Sequence, residues 1–196
     1  MLDRRAVLRQ VVDSLQEHDC LVSALGYLSR DLYELTEGLR ERAFYCMGSM
    51  GSVAPLALGV ALGCPHLRVT ALEGDGSLLM NLGTLASLRR YGPPTLRLLV
   101  FDNGCYESTG GQPSQPDGFR LEELARAAGL PTAVARDPAE VAAFLTDDRP
   151  AAHPRVLVVK VERGPATARV GDPPERIAER FSAWLRRSAP ARAVPA

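Results

Sequence analysis

The stretch "LEGDGSLLMNLGTLASLRRYGPPTLRLLVFDNGCYES" spans residues 72–108. Two polar turns bound it, Gly74-Asp75-Gly76 near the start and Asp102-Asn103-Gly104 near the end. Between them, apolar residues recur at helical spacing over 78–90 until Gly92-Pro93-Pro94 stops them. An almost unbroken apolar run, 96–101, then reads as a strand covered on both faces. With a further strand over 68–72, the unit is strand, turn, helix, strand, turn. Both polar turns leave the carboxyl ends of strands.

The alternation continues outward. Ala6, Val7, Val11, Val12 and Leu15 predict a helix over 4–17, followed by a strand over 20–25 closed by Gly26. A second helix is expected over 29–40 with Ser29 as its cap, and one of small residues over 52–63. Downstream come helix 121–128, strand 132–135, helix 138–145, strand 155–161 and a last helix near 174–187. Strands separated by helices imply an α/β fold, a doubly wound and mostly parallel sheet with helices on both faces. One domain is expected over 1–187, with 188–196, "SAPARAVPA", as a disordered tail.

At 196 residues, such a domain buries about 70% of its unfolded surface, so neither disulfides nor a structural metal is needed. The 23 basic and 23 acidic residues cancel, leaving no electrostatic footprint for nucleic acid or a membrane surface. Cys20, Cys46, Cys64 and Cys105 form no CxxC pair and read as reduced thiols of a cytoplasmic protein. The apolar run Val53 to Cys64 is too short for a bilayer, and no signal-peptide core follows Met1. His18, His66 and His153 share no metal-like spacing; Arg89, Arg90 and Arg97 read as a solvated helix end and strand flank, and Arg30 as a helix-surface residue that could alternatively reach an anionic substrate.

In doubly wound sheets ligands sit outside the carboxyl ends of the strands. If strands 68–72 and 96–101 are neighbours, the two polar turns face one crevice. A GDG turn alone is as often structural as functional. Here it opens a helix, so the amides of Gly76, Ser77 and Leu78 are unpaired donors suited to a phosphate. Asp75 would repel that phosphate unless a cation lay between them, which points to Mg²⁺. An octahedral shell can take further oxygens from the Asn103 side chain, the Cys105 carbonyl and water, while Asp102 caps its own turn.

At this point the residues resemble a family. Gly74-Asp75-Gly76 followed by Asp102-Asn103 resembles the GDG…NN signature of thiamine diphosphate enzymes, with Asp102 replacing the first Asn. The resemblance implies metal ligation by Asp75, Asn103 and the Cys105 carbonyl, and cofactor binding by Gly74, Gly76, Ser77 and Tyr106. "YCMGSMGS" (45–52) resembles the segment that lines the cofactor's aminopyrimidine ring. It implies that the Gly48 carbonyl accepts from the 4′-amino group, that Met50 wedges the cofactor into a V shape, and that Ser49 lies between them. The longer segments "GDGSLLMNLGTLA", "DNGCYESTGGQPS" and "SALGYLSRDLYEL" are similar to the β subunit of sulfopyruvate decarboxylases and the matching half of phosphonopyruvate decarboxylases.

Several expectations follow from that likeness. The reaction would be decarboxylation of a small anionic 2-oxo acid to an aldehyde and carbon dioxide, with Tyr106, Ser108, Thr109 and Gln112 facing the substrate. Decarboxylases of this family carry a second, pyrimidine-binding domain whose glutamate activates the cofactor. No Glu here lies in a segment resembling that half, so an α subunit must supply it. Three rivals remain: a carboligase such as an acetolactate synthase subunit, a 2-oxo acid oxidoreductase subunit, and a cofactor-binding regulatory chain without catalysis. A nucleotide-binding module lacks support, since neither GxGxxG after the first strand nor GxxxxGK[ST] occurs.

Overall fold

A computed structural model describes residues 1–189. Its order is α1 (Arg4–Asp13), β1 (Asp19–Ser23), α2 (Tyr27–Leu35), β2 (Ala43–Tyr45), α3 (Val53–Gly63), β3 (Arg68–Gly74) and α4 (Asp75–Leu79). It continues with α5 (Gly83–Tyr91), β4 (Leu96–Asp102), β5 (Cys105–Tyr106), β6 (Gln112–Pro113) and α6 (Leu121–Ala127). Last come β7 (Thr132–Ala135), α7 (Pro138–Leu145), β8 (Arg155–Lys160) and α8 (Pro174–Ser188). Six strands form one parallel sheet in the order β2-β1-β3-β4-β8-β7, as the alternating pattern implies. All seven residues of β4 are buried, because a central strand of such a sheet has helices over both faces.

The strand order sets the position of the crevice. From β1 the chain runs to β2 at one edge and then returns to β3 on the other side of β1. The crossovers leaving β1 and β3 therefore diverge, and the gap between their loops opens at the carboxyl ends. β3 and β4 are direct neighbours, with Gly74 opposite Phe101. The two polar turns consequently emerge side by side. α3 packs closely on β3 and α5 because its inward positions are small: Ala54, Ala57 and Ala61 are buried.

Local contacts moved several boundaries. The helix expected over 29–40 is α2, capped by Gly26 at φ +79°, with Ser29 inside it donating to the Gly26 carbonyl at 3.0 Å. It stops at Leu35, where the Thr36 hydroxyl donates back to the Leu32 carbonyl at 2.6 Å, and a 3₁₀ segment follows over Glu37–Arg42. The helix expected over 78–90 is two helices, because Asn81 turns its side chain to the Gly51 carbonyl at 2.9 Å. The edge strand β2 is too short to show a pattern in sequence. Arg97 is buried rather than solvated, its guanidinium donating to the Leu145 carbonyl at 2.7 Å. Ser188 closes α8, and 190–196, the rest of the expected tail, lie outside the described residues. Among those described, no helix is long and apolar enough to cross a membrane.

Candidate cofactor site at the strand ends

An open cavity of about 700 Å³ lies over the carboxyl ends of β1, β3 and β4. Its wall brings Met50, Gly74, Asp75, Gly76 and Ser77 together with Asn103, Cys105, Tyr106, Ser108 and Thr109. Gly48 lines the adjoining cavity. Two further candidates stay outside both walls. Ser49 is exposed, its hydroxyl 3.5 Å from the Met47 carbonyl, and Gln112 is exposed in the β5–β6 hairpin opposite Tyr106.

The loop carrying Gly48 and Met50 is pinned to the GDG side of the cavity. The Gly51 amide donates to Ser77 Oγ at 2.8 Å, and the Gly51 carbonyl accepts from Asn81 Nδ2 at 2.9 Å. Gly51 is required there twice over. Its φ is +81°, and an added Cβ would lie 2.9 Å from Asn81 Cβ. Ser77 is thus held as an acceptor for the Met50 loop, while α4 begins at Asp75 without a side-chain cap.

Asp75 is buried, and burial, aided by the charge of Asp102, raises its carboxyl above the usual range. Its Oδ2 accepts one hydrogen bond from the Ser114 hydroxyl at 2.5 Å. Asp102 is turned aside. It accepts from the Gly104 amide at 3.2 Å and from Gln115 at 2.9 Å, and pairs with Lys160 at 2.5 Å. Asn103 is oriented by Glu107, which can only accept and so draws the amide NH₂ to its Oε2 at 3.0 Å. That leaves Asn103 Oδ1 as the accepting end, bonded by the Cys105 amide at 3.1 Å and with a second lone pair to offer. Glu107 is itself fixed by Arg4 at 3.0 Å and by the Gly164 amide. A buried carboxylate, an oriented amide oxygen and a turn carbonyl on one wall form a hard-oxygen donor set that could hold a dication, provided phosphate and water complete the shell.

Tyr106 covers Gly76. A Cβ placed on Gly76 would lie 2.3 Å from Tyr106 Cε1, so only glycine lets the ring rest on the turn. Gly76→Ala should cost about 1–3 kcal/mol by overpacking, read from a urea midpoint. The added change Tyr106→Ala should recover most of that loss. No recovery would mean that the ring is not what the methyl group meets.

Glu73, Ser114, Glu107 and Asn81 carry no motif that singles them out. Their placement comes from burial and from contacts across the fold. A pattern of acidic or amide residues near the two turns was the only available hint.

The sequence and the fold match those of known proteins. Over 127 residues the chain is 39% identical to sulfopyruvate decarboxylase subunit beta of Methanocaldococcus jannaschii, covering 64% of this chain and 66% of that one. Over 126 residues it is 42% identical to phosphonopyruvate decarboxylase of Streptomyces viridochromogenes, covering 64% of this chain but only 31% of that longer protein. The fold superposes on thiamine diphosphate-dependent 4-hydroxybenzoylformate decarboxylase of Rhodococcus jostii RHA1 with TM-score 0.70 and 20% identity, over 83% of this chain and 33% of that one. The profile described as "Thiamine pyrophosphate enzyme, C-terminal TPP binding domain" matches residues 26–161. The chain therefore belongs to the thiamine pyrophosphate enzymes and corresponds to their C-terminal cofactor-binding domain.

Proposed function

We propose that this chain is the β subunit of a heteromeric, Mg²⁺-dependent 2-oxo acid decarboxylase that uses thiamine diphosphate. Its substrate would be 3-sulfopyruvate or 3-phosphonopyruvate, converted to the corresponding aldehyde and carbon dioxide. The observation that carries this reading is the convergence of Met50, Asp75, Asn103 and Cys105 on one cavity, in a chain 39% identical to a sulfopyruvate decarboxylase β subunit.

Asp75, Asn103 Oδ1 and the Cys105 carbonyl would hold the ion. One carboxylate and two neutral oxygens suit magnesium, which takes its remaining ligands from phosphate and water. The Gly48 carbonyl would receive the aminopyrimidine, and Met50 would support the bent cofactor. Tyr106, Ser108 and Thr109 would donate to substrate oxygens. When bound, the cofactor supplies the electron sink that lets carbon dioxide leave. Buried, free Cys20, Cys46 and Cys105 support a reducing, cytoplasmic setting.

The activating glutamate and the pyrimidine-binding domain would come from an α subunit. Met47, Met80 and Leu82 are exposed apolar side chains on the loop at the Gly48 shelf and on the segment joining α4 to α5, which suits a surface covered by that partner. The test is co-purification with the partner chain, followed by carbon dioxide release from a panel of 2-oxo acids. Release is expected only with both chains, thiamine diphosphate and Mg²⁺ present. Release by this chain alone would refute the heteromer. An acetolactate-type product in place of an aldehyde would favour the carboligase reading, which the weaker 30% identity over 93 residues to an Arthrospira platensis acetolactate synthase keeps in play.

Glu107 acts here as a positioning residue for Asn103. Glu107→Gln keeps the size of the side chain but no longer dictates which end of the Asn103 amide faces the ion. Mg²⁺ affinity should fall about 10-fold, as for other outer partners of metal ligands. A metal titration of cofactor binding measures this, and an unchanged midpoint would remove Glu107 from the site.

A further inference from the structure

A second cavity of about 860 Å³ adjoins the first, and the two share Leu25, Gly26, Ser108 and Thr109 in their walls. One side of it carries Gly48, the shelf proposed for the aminopyrimidine; the rest of its lining contains Arg30 and Arg169, with Ser29, Ser108 and Thr109, and no carboxylate. Among the described residues neither arginine belongs to an ion pair, whereas Arg4, Arg68 and Arg180 elsewhere in the fold each hold an aspartate. The guanidinium of Arg30 lies 5.3 Å from the centroid of the Tyr27 ring, and Tyr27 itself lines the cofactor cavity. Ser108 stands at the seam between the two cavities: a Cβ on Gly26 would lie 3.1 Å from its Oγ. Gly26 caps α2 without a side-chain bond, so the first-turn amides add positive potential at the same place.

We propose that Arg30 and Arg169 form a subsite for a tetrahedral oxyanion, the sulfonate or phosphonate on C3 of the 2-oxo acid, with Ser108 and Thr109 bridging it to the reacting carboxyl end. This rests on the decarboxylase reading above and adds the residues that select the substrate. The physical requirement is simple. A doubly charged substrate entering a concave site must exchange its hydration for fixed donors, and a guanidinium offers paired N–H groups that match an –SO₃⁻ or –PO₃²⁻ edge. A wall with two cations and no acid favours that exchange and disfavours an alkyl tail in the same position.

The experiment compares 3-sulfopyruvate, 3-phosphonopyruvate and 2-oxobutanoate as substrates of the complex with its partner chain. For Arg30→Ala and Arg169→Ala, the ratio of kcat/KM for each anionic acid to that for 2-oxobutanoate should fall roughly 10- to 100-fold, the worth of a hydrogen bond to a charged group. Arg30→Lys should restore part of the ratio. A ratio unchanged in both alanine variants overturns the subsite, and so does an equal loss on all three acids, which a structural role would produce.

A binding arm separates this proposal from the decarboxylase reading. Sulfoacetate and phosphonoacetate are titrated calorimetrically into the wild-type complex and both variants at low ionic strength. Binding weakened at least 10-fold by the substitutions, in a complex that turns over no 2-oxo acid, would keep the subsite and discard the reaction. Turnover with unchanged binding and ratio would keep the reaction and discard the subsite. Failure of the wild type to bind either anion also discards it.

Discussion

Asp75→Ala is expected to abolish Mg²⁺-dependent retention of thiamine diphosphate while leaving the fold of the cofactor-free chain intact. The two halves of this expectation have separate causes. Asp75 is the one carboxylate in the proposed ligand set, and its loss must exceed the ~10–100-fold that outer partners of metal ligands are worth. Stability should not suffer, because burial already holds this carboxyl above its usual range, so its charge is under-compensated in the empty protein. Removing such a group costs little net stability, because the release of a buried, under-compensated charge offsets the loss of an acceptor by the Ser114 hydroxyl and the Gly76 and Gly104 amides. Equilibrium dialysis with and without Mg²⁺ measures the first effect, and thermal unfolding of the cofactor-free chain the second. A variant that binds the cofactor as tightly as wild type would sink the ion assignment.

Glu73→Gln should stabilise the cofactor-free chain at neutral and alkaline pH and change little below about pH 4.5. Glu73 ends the buried part of β3, is 1% exposed, and its Oε2 has no hydrogen-bond partner. Burial pushes its carboxyl up to about 7, against the opposing pull of the Ser77 hydroxyl and the Gly74 and Ala54 amides. The folded state therefore holds a proton that the unfolded chain releases near the ordinary glutamate value of 4.5. The sign follows: below the unfolded value both states are protonated and nothing is lost. As pH rises from there to the folded value, only the unfolded chain ionises, and wild type loses stability on the order of 3 kcal/mol. The buried Cys46 thiol is pushed up to about 12, mainly by burial, so it stays neutral over this range and adds no like charge to Glu73. Glutamine cannot ionise, so the difference between variant and wild type should open between about pH 4.5 and 7. A constant difference from pH 4 to 8 would contradict the buried neutral form.

The parallel sheet was readable because β4 is almost wholly apolar and because glycine and proline mark the end of α5. The convergence of the two polar turns followed from strand adjacency alone. Asp75, Asn103 and Cys105 could be singled out from turn chemistry plus a family likeness. What escaped was tertiary in origin. The break between α4 and α5 depends on Asn81 reaching the Gly51 carbonyl, a contact between segments 30 residues apart. Glu107 looks like a surface residue until Arg4 and the Gly164 amide converge on it. Arg97 reads as a strand flank because nothing local reveals that the Leu145 carbonyl waits above it. β2 has only three residues, below the length at which alternation can be recognised.

The Gly51 clamp joins two jobs that need not have been joined. On the proposed reading, one glycine ties the shelf for the ring to the elbow behind the ion, so loading the charged tail of the coenzyme and presenting a docking face to the second polypeptide would be parts of a single equilibrium. Coenzyme should then tighten subunit association, and association should tighten coenzyme by the same factor. Loosening that knot would uncouple the two events before it disabled either one.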